Sequence, residues 1–201
     1  LRLNPKRPHD PERDRLLFSK GHAAAALYAA LAERGFFSPK ILEGFYGNGT
    51  LLTGHPTRNC LPGVEVTSGS LGHGLSMGAG LAWAAKLDRK PYRSFVILSD
   101  GECDEGSVWE AVLAAGHRQL DNLVAIVDYN KLQSFGTTKE VLDLEPFKAK
   151  WAAFRWAVRE VDGHDMAALT ALLSRVPFRN GRPSAIIAHT IKGKGIPFYE
   201  N

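Results

Sequence analysis

Two stretches of this chain, Phe95 to Leu98 and Leu123 to Val127, are apolar at every position rather than at alternate ones. A strand with one face in water alternates, so a continuous run demands cover on both faces. Other β-rich runs are "GVEVTS" (63–68), "WAVREV" (156–161) and "PSAIIAHT" (183–190), and the two continuous runs extend to "RSFVILSD" (93–100) and "NLVAIVDYN" (122–130). Helix-like segments lie between them: "GHAAAALYAALAERG" (21–35), "GLSMGAGLAWAAKLDRK" (74–90), "EGSVWEAVLAAGHRQL" (105–120) and "HDMAALTALLSRV" (164–176). Gly35 and Pro39 punctuate the first helix, and "RKP" closes the second. This alternation predicts an α/β fold, a parallel sheet with helices on both faces. With 201 residues, 44% of them hydrophobic, the chain can bury a sizeable core. No repeat, low-complexity tract or linker divides it, so a single domain over 1–201 is expected.

Composition removes several function classes. The net charge of +4 is spread among acids, with a mild concentration in "LRLNPKRPHDPERDR". A nucleic-acid surface needs a clustered basic face with stacking aromatics, and neither is visible. No apolar run reaches the length of a membrane span. Cys60 and Cys103 stand 43 positions apart without a CxxC pair, which argues against a disulfide framework or a zinc site. A reducing, cytoplasmic setting is expected. The first residue is Leu rather than Met, so a leader or further stretch ahead of it stays open.

The acidic stretch "LSDGECDEGSVWEA" (98–111) crowds Asp100, Glu102, Asp104, Glu105 and Glu110 at the end of a hydrophobic strand. Carboxylates there must be solvated, hydrogen-bonded or bound to a cation. Asp100 follows one apolar strand and Asn130 the next, so a parallel sheet puts both at neighbouring carboxyl ends, where ligands of such sheets bind. Two oxygen ligands on one rim suit a hard cation such as Mg²⁺ or Ca²⁺ together with ligand phosphates. Gly101 allows close backbone approach, and the helix beginning near Glu105 turns its positive end toward the rim. From spacing alone a second reading stands beside this one: "DG" is a common turn, and Asn often caps a strand end. The irregular stretch Gly47 to Gly63, with "GNGT", "GHPT" and "LPG", reads as a site loop.

Ser99-Asp100-Gly101, followed by 28 residues and then Asn130 in "YNKL", resembles the thiamine diphosphate motif of GDG, spacer and Asn, with Ser99 in place of the first Gly. "SKGHAAAALYAAL", "TGHPT" and "VEVTSGSLGHGLSMGAGLA" precede it, and "VDGHD" and "HTIKGKGIPFYEN" follow, in the order of the transketolase diphosphate-binding domain. The likeness covers nearly the whole chain. It is closest to the short N-terminal subunit of split, two-chain transketolases.

The resemblance implies that Asp100, Asn130 and the main-chain carbonyl of Leu132 hold Mg²⁺ or Ca²⁺, which bridges the diphosphate of thiamine diphosphate. Gly101 and His22 touch that diphosphate, Leu71 packs near the cofactor's rings, and Gly69 and Glu102 count among the cofactor-binding positions. His55 faces the sugar-derived substrate. Glu105 and Glu110 belong to a glutamate network between cofactor sites, while Glu102 and Asp104 are also open to simple solvation. The activity implied is transfer of a two-carbon ketol unit from a ketose or ketose phosphate to an aldose or aldose phosphate. It requires a C-terminal subunit carrying the pyrimidine-binding domain, in an α2β2 heterotetramer. Alternatives are half of another thiamine-dependent carboligase or oxo-acid enzyme, and a non-catalytic subunit that retains the fold. The family also carries a helical stretch ahead of "RLNP" and a further histidine beyond the position of Asn201; neither falls within these residues.

Plainer readings stand beside several of these. His22 could cap a helix, and Glu110 could be a surface acid. His117 and His164 read as structural, no catalysis is claimed for His189, and the role of His73 is open. Trp83, Trp109, Trp151 and Trp156 read as packing residues, and Cys103 is given no redox role. "GSLGHG" is not a dinucleotide fingerprint, whose glycines are differently spaced.

Overall fold

The computed structural model describes residues 1–201. In chain order its elements are β1 (Arg15–Phe18), α1 (Ala24–Glu33), α2 (Gly74–Leu87), β2 (Ser94–Ser99), α3 (Gly106–His117) and β3 (Leu123–Tyr129). There follow a small antiparallel hairpin of β4 (Leu132–Gln133) and β5 (Gly136–Thr137), then α4 (Thr138–Val141), α5 (Phe147–Ala153), β6 (Ala157–Asp162), α6 (Met166–Leu173) and β7 (Ser184–His189). The five longer strands form one sheet in the order β1-β2-β3-β7-β6, and every pairing in it is parallel.

The two-sided burial demanded by the apolar runs is met by the alternation of side chains along each strand. Leu17, Val96, Leu98, Ala125, Val127, Ala185 and Ile187 face one way, into a cluster with Ala82 of α2, Val108, Val112 and Ala115 of α3, and Phe147 and Trp151 of α5. Phe95, Val124 and Ile186 face the other way, with Val176 and the partly buried Leu172 and Leu173 of α6. A third cluster sets Leu27, Tyr28 and Leu31 of α1 against Leu52, Leu61 and Val64, with Leu16 and Phe18 of β1 beside them. No helix is long and apolar enough to cross a membrane.

Local signals explain the boundaries. Asp165 caps α6 by accepting the Ala168 N–H at 2.9 Å, and Thr137 and Glu140 form a reciprocal capping box on α4. Gly35, at φ +80°, stands just past the end of α1.

One expectation needs correction, and two elements went unread. "GVEVTS" is not a strand: residues 63–68 are irregular, with a turn at Gly63 and a bend at Val66, and Val64 buries its apolar surface against α1 instead of in a ladder. Residues 15–18 do form an edge strand, masked in the sequence by the surrounding charges; Arg15 lies over the Tyr92 ring, 4.5 Å from its centroid. The helical turns of α5 were hidden by their shortness, yet they supply Trp151, which meets Trp156 edge-on with ring centroids 4.9 Å apart. Trp156 donates from Nε1 to the Val112 carbonyl at 2.9 Å, so Trp151 and Trp156 are core residues, as expected. Trp83 is 40% exposed and lies under the Arg118 guanidinium.

Asp14, with its side chain fully out of solvent, anchors the start of the chain to the sheet. It accepts from the backbone N–H of Arg2 at 2.8 Å and of Arg93 at 3.0 Å, and pairs with both guanidinium groups. Burial alone would raise its pKa, but the Arg93 hydrogen bond and the two amides more than offset this and hold it below 3.8. A carboxylate depressed by folding stabilises above its unfolded pKa and loses that contribution as pH falls through the lower folded value. Asp14→Asn should therefore cost about 1–3 kcal/mol near pH 7 and flatten the loss of stability below pH 4, measured by urea unfolding across pH. Trp156→Ala should cost about 3–5 kcal/mol in the same assay, independent of pH.

Candidate functional site

The parallel pairing of β2 with β3 aligns Leu98 with Val127 and Ser99 with Asp128, so both strands end at one rim. Asp100 and Asn130 leave that rim side by side. Asp100 is 1% exposed. Its Oδ1 accepts the Gly101 N–H at 2.8 Å and its Oδ2 the Lys131 N–H at 2.5 Å. The Asn130 Oδ1 accepts the Leu132 N–H at 2.9 Å, and Lys131 between them takes a left-handed backbone, φ +66°. Gln133 packs over Gly101: a side chain at 101 would place its Cβ 2.9 Å from Gln133 Cγ.

Asp100 has no salt-bridge partner, and burial pushes its carboxyl above the ordinary range against the pull of the Gly101 and Lys131 amides. A buried carboxylate with open lone pairs and no cation of its own fits a divalent metal. No group of three or more His, Cys, Asp or Glu side chains is arranged to hold a metal ion. A metal here would draw on one carboxylate, one amide oxygen and the Leu132 main chain, hard oxygens that would leave positions for phosphate oxygens and water.

The other acids of this stretch divide in an unexpected way. Glu102 is not solvated: it is 0% exposed, and its oxygens accept from Ser19, Gly72 and Ser99. Its side-chain oxygens are taken up by these three donors and reach no surface of the rim. Asp104 is not simply solvated either, since its Oδ2 accepts from Gln133 Nε2 at 2.7 Å and its Oδ1 is buried. Glu105 and Glu110 are exposed, the first at the start of α3 and the second along it. Cys103 is fully buried, and burial raises its thiol well above the ordinary value, which leaves it unreactive.

Three loops close on the same rim. Gly21 abuts the next loop so closely that a Cβ there would sit 2.8 Å from the Gly69 nitrogen. Gly69, at φ +143°, lies against His55, whose Cδ2 would be 2.9 Å from an added Cβ. Gly72, at φ +82°, has room only for hydrogen beside Ser107 and Glu105. These contacts gather His22, Gly69, Leu71 and His55. His22 and His55 are exposed and Leu71 is half-buried. Burial first, then the charges of Lys20 and His55, hold the His22 imidazole below its ordinary value of 6.5. The stretch Gly47 to Gly63 has a double role: Leu52 and Leu61 pack on α1, and the exposed His55 stands at the rim.

One buried pair was not read from the sequence. Lys20, 7% exposed, forms an ion pair with Asp128 of β3, and Thr190 donates to the same carboxylate. Burial raises the Asp128 pKa, but the Lys20 hydrogen bond and charge outweigh it and leave it lowered. The signal available was Lys20 inside "SKGH" and Asp128 inside an otherwise apolar strand, with 107 residues between them hiding the pairing.

Comparison with protein families matches residues 1–201 to "Transketolase, thiamine diphosphate binding domain". The chain is 44% identical over 200 residues to one subunit of the apulose-4-phosphate transketolase of Phocaeicola vulgatus, covering 100% of this chain and 71% of that protein. It is likewise 44% identical over 200 residues to SqwG, a subunit of the 6-deoxy-6-sulfo-D-fructose transketolase of Clostridium sp. strain MSTE9, covering 100% of this chain and 73% of that one. Among solved structures, the transketolase of Campylobacter jejuni superposes with a TM-score of 0.94 at 33% identity, covering 100% of this chain and 32% of that one. The chain therefore spans about a third of the length of that solved enzyme. A family match over all 201 residues, on a sheet whose rim gathers the motif's residues, means that this chain belongs to the transketolase family.

Proposed function

We propose that this chain is the diphosphate- and metal-binding subunit of a two-component transketolase, which moves a two-carbon ketol unit from a ketose or ketose phosphate to an aldose acceptor. The observation that carries this reading is Asp100, a buried carboxylate without a salt-bridge partner, set beside Asn130 at the ends of adjoining parallel strands. When bound, thiamine diphosphate supplies the electron sink that lets a carbon–carbon bond next to a carbonyl break. Asp100, Asn130 and the Leu132 carbonyl would hold Mg²⁺ or Ca²⁺. Gly101 and His22 would bind the diphosphate, and Gly69 and Leu71 would take part in holding the cofactor. His55, on the exposed side of the rim, faces the sugar.

His22, held below its ordinary value, is neutral at pH 7 and offers one N–H and one lone pair to a hydroxyl or phosphate oxygen. Glu105 at the N-cap of α3 and Glu110 along it are both exposed, which supports a role in passing protons across a contact between protomers. Two relatives are named as transketolase subunits; this supports a partner chain that brings the pyrimidine-binding half, in an α2β2 assembly active only when complete. Two free cysteines suit a cytoplasmic setting.

Calorimetric titration of thiamine diphosphate with Mg²⁺ should show tight binding when the partner subunit is present, weakened about 100-fold or more by Asp100→Ala. Absence of binding by the assembled wild type would overturn the cofactor assignment and leave a non-catalytic subunit. His55→Ala and His22→Ala should each lower kcat/KM about 100-fold, with cofactor affinity reduced only in the second. In the wild type, kcat/KM should fall as pH drops through a value below 6.5, where His22 gains its proton. His22→Asn should abolish that acid limb of the profile.

A further inference from the structure

Glu102 is a charged side chain with no exposed surface and no metal or ligand to serve directly. Its Oε1 accepts the Ser19 hydroxyl and the Gly72 N–H, the latter at 2.9 Å, and its Oε2 accepts the Ser99 N–H at 3.2 Å. These three donors come from three stretches of chain. Ser19 follows β1, docks its own N–H on the Ile97 carbonyl at 2.9 Å, and precedes His22 by three residues. Gly72 follows Leu71 in the turn ahead of α2. Ser99 ends β2 and precedes Asp100.

We propose that Glu102 is a positioning residue, whose buried carboxylate ties the loop after β1, the turn at Leu71 and Gly72 and the end of β2 into one frame, so that His22, Leu71 and Asp100 face a single ligand. The proposal rests on the reading that this rim binds thiamine diphosphate with Mg²⁺. The chemistry calls for a carboxylate in particular, since two of the three donors are main-chain N–H groups that cannot turn round. An ionised carboxylate is acceptor-only at both oxygens. The isosteric amide of Glu102→Gln must set an NH₂ against either Gly72 N–H or Ser99 N–H, whichever way it is turned. Ser19 is the one donor able to adapt, because its hydroxyl rotates.

The test uses the natural full-length chain assembled with its partner, and thiamine diphosphate with Mg²⁺ as the probe. Glu102→Gln should raise the cofactor Kd about 10-fold at unchanged stoichiometry, with kcat at saturating cofactor within about 3-fold of wild type. Ser19→Ala should raise Kd about 3-fold and add nothing further in the Glu102→Gln background, as expected of coupled partners. Hydrogen exchange at the Gly72 amide should speed up in Glu102→Gln, while that at Ile126 and Ala185 in the central strands does not change. An unchanged Kd would overturn the proposal. So would a lower stoichiometry with unchanged Kd at the remaining sites, which is the signature of support to folding alone, or full additivity with Ser19→Ala. If Glu102→Gln does not assemble, Ser19→Ala decides, and an unchanged Kd there overturns the proposal. If the wild type binds no cofactor, the functional reading fails by itself; faster Gly72 exchange in Glu102→Gln would still support the tie, and unaltered exchange would overturn it.

Discussion

The parallel, in-register pairing of β2 and β3 is the constraint on which everything at the rim depends. It fixes Ser99 opposite Asp128, and so decides that the chain leaves both strands at the same height and on the same side. A slip of one residue would turn the two apolar runs over and would carry Asp100 away from Asn130. That register is secured by burial on both faces: Val96 and Leu98 pack under α2 and α3, and Phe95 and Val124 under α6. The hydrophobic core and the polar site are therefore two consequences of one alignment.

Much of this was legible in the residues themselves. Continuous apolar runs predicted strands covered on both faces; three of the five strands in the sheet fall inside the segments read as β-rich, and β6 overruns its segment by one residue. Asp100 and Asn130 were placed at neighbouring strand ends by counting alone. What could not be read was anything that depends on a partner distant in sequence. Glu102 looks like a surface acid in "SDGECDEG", and only the arrival of Ser19 and Gly72 shows why a carboxylate is buried there. Asp128 interrupts an apolar strand without apparent reason until Lys20 reaches it. The error at "GVEVTS" is of the same kind: alternation reports which side chains seek cover, and a loop that leans on α1 supplies cover as well as a ladder does.

The histidines show the division most clearly. His22 and His55 are far apart in the chain, yet glycine contacts at positions 21 and 69 draw their loops together. Sequence identifies the residue types and the glycines, while the approach of backbone to backbone that makes them neighbours is a tertiary fact. His164 accepts the Ile191 N–H at 2.8 Å and holds a loop, in keeping with a structural reading.

The Lys20–Asp128 pair has a consequence in the charge balance of the rim. Asp100, Glu102 and Asp128 bring three formal negative charges to a confined region, and Lys20, whose charge acts on all three, returns one. The buried acids outnumber the buried lysine, so an anionic ligand arriving by itself meets repulsion in a medium that screens poorly. On the proposed reading, a divalent cation would offset that excess, after which an arriving anion would meet a more nearly neutral surface lined with amide donors. The rim would in this sense be a lock keyed by ionic valence before it is one keyed by shape.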